Sequence, residues 1–164
     1  MQTQPSCIRA PRRPRIPPMA RTPHRTAARA VEAQRRIREA GERVTAPRSA
    51  VLAVLLAADH ALTHHEVEEA LAPVTPVDRV TVYRVLDRLV ATGLAHRIPG
   101  EDRTWRFGAN RRGPGGAHAH FTCSGCGRTV CLEETQVPAA VKVPRGFVPQ
   151  RVELTVQGLC AGCR

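Results

Sequence analysis

Lysine is almost missing from this chain. Lys142 stands alone among 25 basic residues, against 14 acidic ones. Aromatic residues are also scarce, at 3 % of 164 residues, with Tyr83 and Trp105 single examples of their kind. A small domain with so few large rings needs a staple, either a metal ion or a second subunit. No apolar run approaches the roughly 18 residues of a membrane-spanning helix. The Arg- and Pro-rich start lacks the apolar stretch of a secretory signal. The expected location is therefore the cytoplasm, where thiols stay reduced. In that compartment the six cysteines read as metal ligands rather than disulfides. A βαβ pattern is absent too, which removes the usual setting of a redox C-x-x-C.

What is present is positive charge. The formal net charge is +11, which points to an anionic partner, most simply nucleic acid. A genome rich in G and C explains part of the arginine-over-lysine bias, but not the net charge.

Residues 1–27 combine Pro5, Pro11, Pro14, Pro17, Pro18 and Pro23 with many arginines. They read as a disordered basic tail. Met19 is a plausible start, in which case Cys7 is not part of the native protein. Four helices are expected next. The first runs from Ala28 to Ala40 and stops at Gly41. The second opens on Thr45 and Pro47 and carries a stripe of Val51, Leu52, Leu55 and Leu56. The third opens on the capping box Thr63-His64-His65-Glu66 and ends before Pro73. The fourth runs from Asp78 to Gly93, with Val82, Val85, Leu86, Leu89 and Val90 on one face. Leu94–Ile98 and Thr104–Phe107 then read as two short strands around a Pro-Gly-Glu-Asp turn. The last three helices closed by such a hairpin make a winged helix-turn-helix, and with the appended first helix the domain spans 28–107. The expected fold class is α+β, with the winged helix-turn-helix followed by a small α/β domain over 118–164. Residues 108–117, rich in glycine, are the expected hinge. In the second domain Phe121–Thr122, Thr129–Leu132 and the alternating 151–156 read as strands. A short helix is expected at 139–143.

Cys123 and Cys126 form one C-x-x-C, and Cys160 and Cys163 form another after 33 intervening residues. Each turn aims two thiolates at one ion, and two turns complete the tetrahedron of a closed structural zinc site. Gly125, Gly127 and Gly162 suit tight turns that bring amide groups onto the sulfurs. Such a zinc compensates for a thin core and is needed for folding.

In order along the chain, "VTAPRSAVL" (44–52), "RVTVYRVLDRLVATGLAHRI" (79–98), "HAHFTCSGCG" (118–127) and "GLCAGC" (158–163) make the protein similar to the ferric uptake regulator family, and most to its zinc uptake regulator branch. The resemblance spans roughly residues 30–164. It implies a metal-dependent transcriptional repressor rather than an enzyme: a homodimer that binds a palindromic double-stranded operator. Thr81, Tyr83 and Arg84 lie at the start of the fourth helix, the end that enters the major groove. By resemblance Tyr83 and Arg84 contact DNA and Arg48 touches phosphate. Arg43 matches a basic residue that reaches toward the minor groove, although Arg38 and Arg43 also suit a solvated helix face. The family's releasable metal site maps onto His96, His118, His120 and Cys131. Three imidazoles and a thiolate suit Zn2+ better than Fe2+ or Mn2+. His60 is an extra candidate ligand, while His64 and His65 read as surface residues. The chain departs from the family pattern at Gly108, where a glutamate is usual, and at Ala119, where an acid commonly lies between the two histidines. The other readings are an iron, manganese or peroxide sensor of the same family, a zinc-ribbon RNA-binding protein, and a zinc enzyme. The last lacks a clear general base beside the histidines.

Overall fold

The computed structural model describes residues 23–100, 103–111, 118–132, 142–149 and 152–164, with backbone alone for 23–27 and 118. The chain folds as helices followed by two small sheets, the α+β class expected. The basic tail up to residue 22 and the short helix at 139–141 lie outside the described residues, and 142–143 are not helical.

The first helix, α1 (Pro23–Glu39), begins before the expected Ala28. Pro23 supplies the reason: a proline is at home in a first helical turn, where its missing N–H costs nothing. Ala33 and Ile37, one turn apart, are its buried contacts. In α2 (Ala46–Ala57) the stripe Val51, Leu52, Leu55 and Leu56 is buried. Thr45 precedes it in extended backbone, but its hydroxyl makes no capping bond. The capping box is realised on α3 (His64–Leu71): Glu66 donates its amide to the Thr63 hydroxyl and returns its carboxylate to the Thr63 amide. Asp78 caps α4 (Arg79–Ala91), accepting from the Thr81 amide at 2.9 Å. Val82, Leu86 and Leu89 form the buried face of α4 and join α1 and α2 in one aliphatic core.

The wing has three strands rather than two. β1 (Leu62–Thr63) pairs with β3 (Trp105–Ala109), which pairs with β2 (Ala95–Pro99). A two-residue strand hidden between a loop and a helix start leaves no alternation to read. The expected hinge also begins too early. Gly108 and Ala109 are buried strand residues, and Asn110 is buried behind them. Arg111 donates to the Ala58 carbonyl at 2.8 Å and Arg36 donates to the Asn110 carbonyl at 2.9 Å. Residues 112–117 lie outside the described residues.

The second sheet has the order β5-β4-β6, from β4 (His118–Cys123), β5 (Thr129–Cys131) and β6 (Glu153–Gly158). β4 and β5 are antiparallel, whereas β4 and β6 run parallel with Cys123 opposite Gly158. Parallel neighbours need a long crossover, which accounts for the wide spacing between the two C-x-x-C pairs. The pairing places both knuckles at the same end of adjacent strands. Residues 153–156 of the alternating 151–156 lie in β6, and the apolar residues Leu154 and Val156 there are 36 % and 41 % exposed. The two sheets meet where the Ala61 amide donates to the Thr129 carbonyl at 2.7 Å.

Candidate metal centres and helix surface

The sulfurs of Cys123, Cys126, Cys160 and Cys163 all lie within 4.8 Å of one another. Cys126 Sγ and Cys160 Sγ are 3.8 Å apart. Four sulfurs about 2.3 Å from one zinc ion sit about 3.8 Å from each other, so the donor set fits a tetrahedral ion. The Cys160 amide donates to Cys123 Sγ at 3.3 Å. That bond pulls the Cys123 thiol down to about 6, while the surrounding sulfurs of Cys160 and Cys126, with burial, push Cys163 up to about 12. Burial also raises Cys126. Four thiols this close cannot all ionise without a cation among them, and a bound divalent metal ion would supply it. A Cβ at Gly125 would approach Cys163 Sγ to 3.2 Å, so this knuckle needs its glycine for space. Gly162 faces open space and has no such role.

A second cluster joins the wing to the second sheet. His120 and Cys131 are register partners across β4 and β5. His96 enters from β2. His96 Nε2 lies 3.1 Å from His120 Nε2 and 3.5 Å from Cys131 Sγ. A tetrahedral zinc holding imidazole and thiolate gives edges of about 3.3 Å and 3.5 Å, so this donor set also fits. Both rings are buried, at 2 % and 1 % exposure. The backbone of His118 is one strand repeat from His120, but its side chain lies outside the described residues.

Asn110, read from the sequence as hinge, completes this arrangement. Its side-chain amide donates to the carbonyls of Gly93 at 2.8 Å and Ala95 at 3.3 Å. The bonds fix the amide orientation, so Oδ1 faces His96 Nδ1 at 2.6 Å. An acceptor there keeps the proton on Nδ1 and leaves the Nε2 lone pair toward His120 and Cys131. The one sequence signal was a polar residue directly following an apolar wing strand.

His60 lies close by without joining the cluster. It lines a cavity of about 160 Å³ together with Asp59, Gly108, Arg111 and Cys131. Asp59 Oδ1 holds its Nδ1 at 2.5 Å, and its buried Nε2 has no hydrogen-bond partner. The His60 hydrogen bond, with Arg128 nearby, holds the Asp59 carboxyl below its ordinary range.

On the outer face of α4, Tyr83 and Arg84 are exposed and Val80 is 56 % exposed. The Tyr83 ring stacks on His64, with centroids 3.5 Å apart and planes 14° apart. His64 is buried, contrary to its surface reading, because the stack and the Arg79 carbonyl enclose it. His65 is exposed as expected. Thr81 is committed to the cap, donating its hydroxyl to Asp78 at 2.6 Å. Arg43 is exposed. Arg48 turns inward, donating to Glu42 at 2.9 Å and to the Arg43 carbonyl at 2.6 Å. A phosphate contact would require it to leave these partners.

The sequence model of the ferric uptake regulator family matches residues 39–156. The transcriptional regulator FurA of Mycobacterium tuberculosis is 31 % identical over 130 residues, which cover 77 % of this chain and 86 % of that protein. The peroxide-responsive repressor PerR of Staphylococcus saprophyticus is 26 % identical over 132 residues, covering 78 % and 86 %. The structure of a zinc uptake regulator complexed with zinc and DNA superposes with a TM-score of 0.61 at 20 % identity, covering 84 % of this chain and 94 % of that one; at that identity it speaks for the fold. No helix among the described residues is long and apolar enough to cross a membrane. The chain belongs to the ferric uptake regulator family and is a metal-responsive transcriptional regulator.

Proposed function

We propose that the protein is a zinc-responsive repressor that acts in the cytoplasm and binds a palindromic operator as a homodimer. The observation that carries this reading is the donor set of the buried cluster. Two imidazoles and one thiolate converge there, and soft or borderline donors favour zinc over Fe2+ and Mn2+. His118 supplies the fourth ligand in this reading. Cys123, Cys126, Cys160 and Cys163 hold a permanent structural zinc.

The repressor has a winged-helix DNA-binding domain over 28–107 and a zinc-binding dimerisation domain over 118–164. Arg43, Arg48, Thr81, Tyr83 and Arg84 form its DNA-binding set. The positive charge and the exposed outer face of α4 support the DNA role. The exposed apolar residues Phe147, Val148, Leu154, Val156 and Leu159 support a second copy against the C-terminal part. The regulatory ion supplies a bond that forms when His96 approaches His120 and Cys131. It therefore stabilises one arrangement of wing and sheet over others, and linkage transmits that preference to DNA affinity. Asn110 holds the His96 tautomer ready for this step.

The test is a gel shift on the promoter region of the gene itself, with chelated protein titrated with zinc, iron and manganese. Zinc should restore binding at the lowest free concentration, and Cys131→Ser should abolish that response while leaving the structural zinc in place. Full zinc-dependent binding by Cys131→Ser would falsify the assignment. RNA preference without a palindromic footprint would support the zinc-ribbon RNA-binding alternative instead.

A further inference from the structure

We propose that Gly108 selects the donor set of the buried cluster: by carrying no side chain it leaves the space that the His96 ring fills. The inference rests on the cluster being the regulatory site. Gly108 is buried on β3 directly opposite His96 on β2. Its φ lies outside the left-handed region, so the backbone does not demand glycine there. Space does. A Cβ at this position would lie 2.9 Å from both Cε1 and Nε2 of His96, and 3.7 Å from Cys131 Sγ. Carbon contacts settle near 3.5–4.0 Å, so the ring would have to move.

The fold permits such a movement, because the clash is with the end of one side chain. The ligand set does not. The ring is pinned at Nδ1 by Asn110, and Asn110 is pinned by two backbone carbonyls. Displacing Nε2 takes it away from His120 and Cys131 together. Any side chain on Gly108 would also start within van der Waals reach of the Cys131 sulfur. An acid placed there brings a carboxylate oxygen into the volume now held by the His96 nitrogen. Oxygen donors move metal preference from zinc toward manganese and iron. The same position therefore accommodates an imidazole from β2 or a carboxylate from β3, but not both in the present geometry.

The test uses the full-length protein with Gly108→Ala and Gly108→Glu. Zinc stoichiometry and competition with a chelator are measured beside thermal melting. For Gly108→Ala we expect one tightly held zinc per chain, cooperative melting like the parent, and second-site affinity lower by about 10- to 100-fold. For Gly108→Glu we expect the second site to bind Mn2+, read by its electron paramagnetic resonance signal, more tightly than the parent does. Second-site zinc affinity within about threefold of the parent in Gly108→Ala would overturn the proposal. Loss of cooperative melting in that variant would overturn it too, since the fold is argued to tolerate the change. A parent protein that binds only one zinc per chain would instead sink the regulatory-site reading itself.

Discussion

The two thiol-bearing clusters both take a ligand from β4 but are built in opposite ways. The four-cysteine cluster draws every ligand from two turns at the ends of β4 and β6, within one sheet. The His96–His120–Cys131 cluster draws one ligand from the wing and two from the second sheet. In the first, Cys126, Cys160 and Cys163 keep some exposure; in the second, both imidazoles are sealed. An ion in the first ties strand ends together and belongs to folding. An ion in the second ties two sheets and belongs to their relative placement. On the proposed function, the difference teaches that ligand type alone does not separate a structural site from a sensing one. What separates them is whether the ligands share a folding unit.

Breaking the first cluster should have the largest effect. Cys160→Ser should remove the proposed structural zinc, a contribution on the order of 10 kcal/mol in small zinc domains, and cooperative melting of the C-terminal part with it. Zinc content and melting after size-exclusion chromatography check this. If the domain melts as before, the claim that this site belongs to folding fails.

A medium effect is expected at Asn110. Asn110→Leu removes the acceptor for His96 Nδ1 but leaves all metal ligands in place. Second-site zinc affinity should fall by about 10- to 100-fold with the structural zinc unchanged, as read by chelator competition. An unchanged affinity would mean that packing alone sets the His96 tautomer.

The smallest effect should come from the ion pair between the same two parts. Asp59 and Arg128 lie 2.6 Å apart, but their side chains are 72 % and 44 % exposed. Exposed pairs contribute about 0–1 kcal/mol, so Arg128→Ala should shift the zinc concentration needed for DNA binding by about fivefold or less. A larger shift would show that the ion pair, rather than the metal, couples the two parts.

Much of this was readable in the residues. The Thr63–Glu66 capping box and the aliphatic stripes of α2 and α4 act through neighbours three or four apart, which a sequence displays directly. The knuckle cysteines were legible for the same reason. Asn110 was not, because its role depends on two carbonyls from β2 and its preceding turn, and loop composition does not show them. His64 was misread as surface because nothing local reveals a stack against Tyr83, 19 residues later.

The sequence by itself determined the α+β class and the four-cysteine set, since local periodicity and motif spacing encode them, and its four motif blocks carried the resemblance to the family. Only the tertiary structure decided that Gly108 and Asn110 sit against the His96–His120–Cys131 cluster. Their parts are an empty volume and a hydrogen-bond acceptor, and each acquires meaning only when β2 and β3 pair and the second sheet closes over His96.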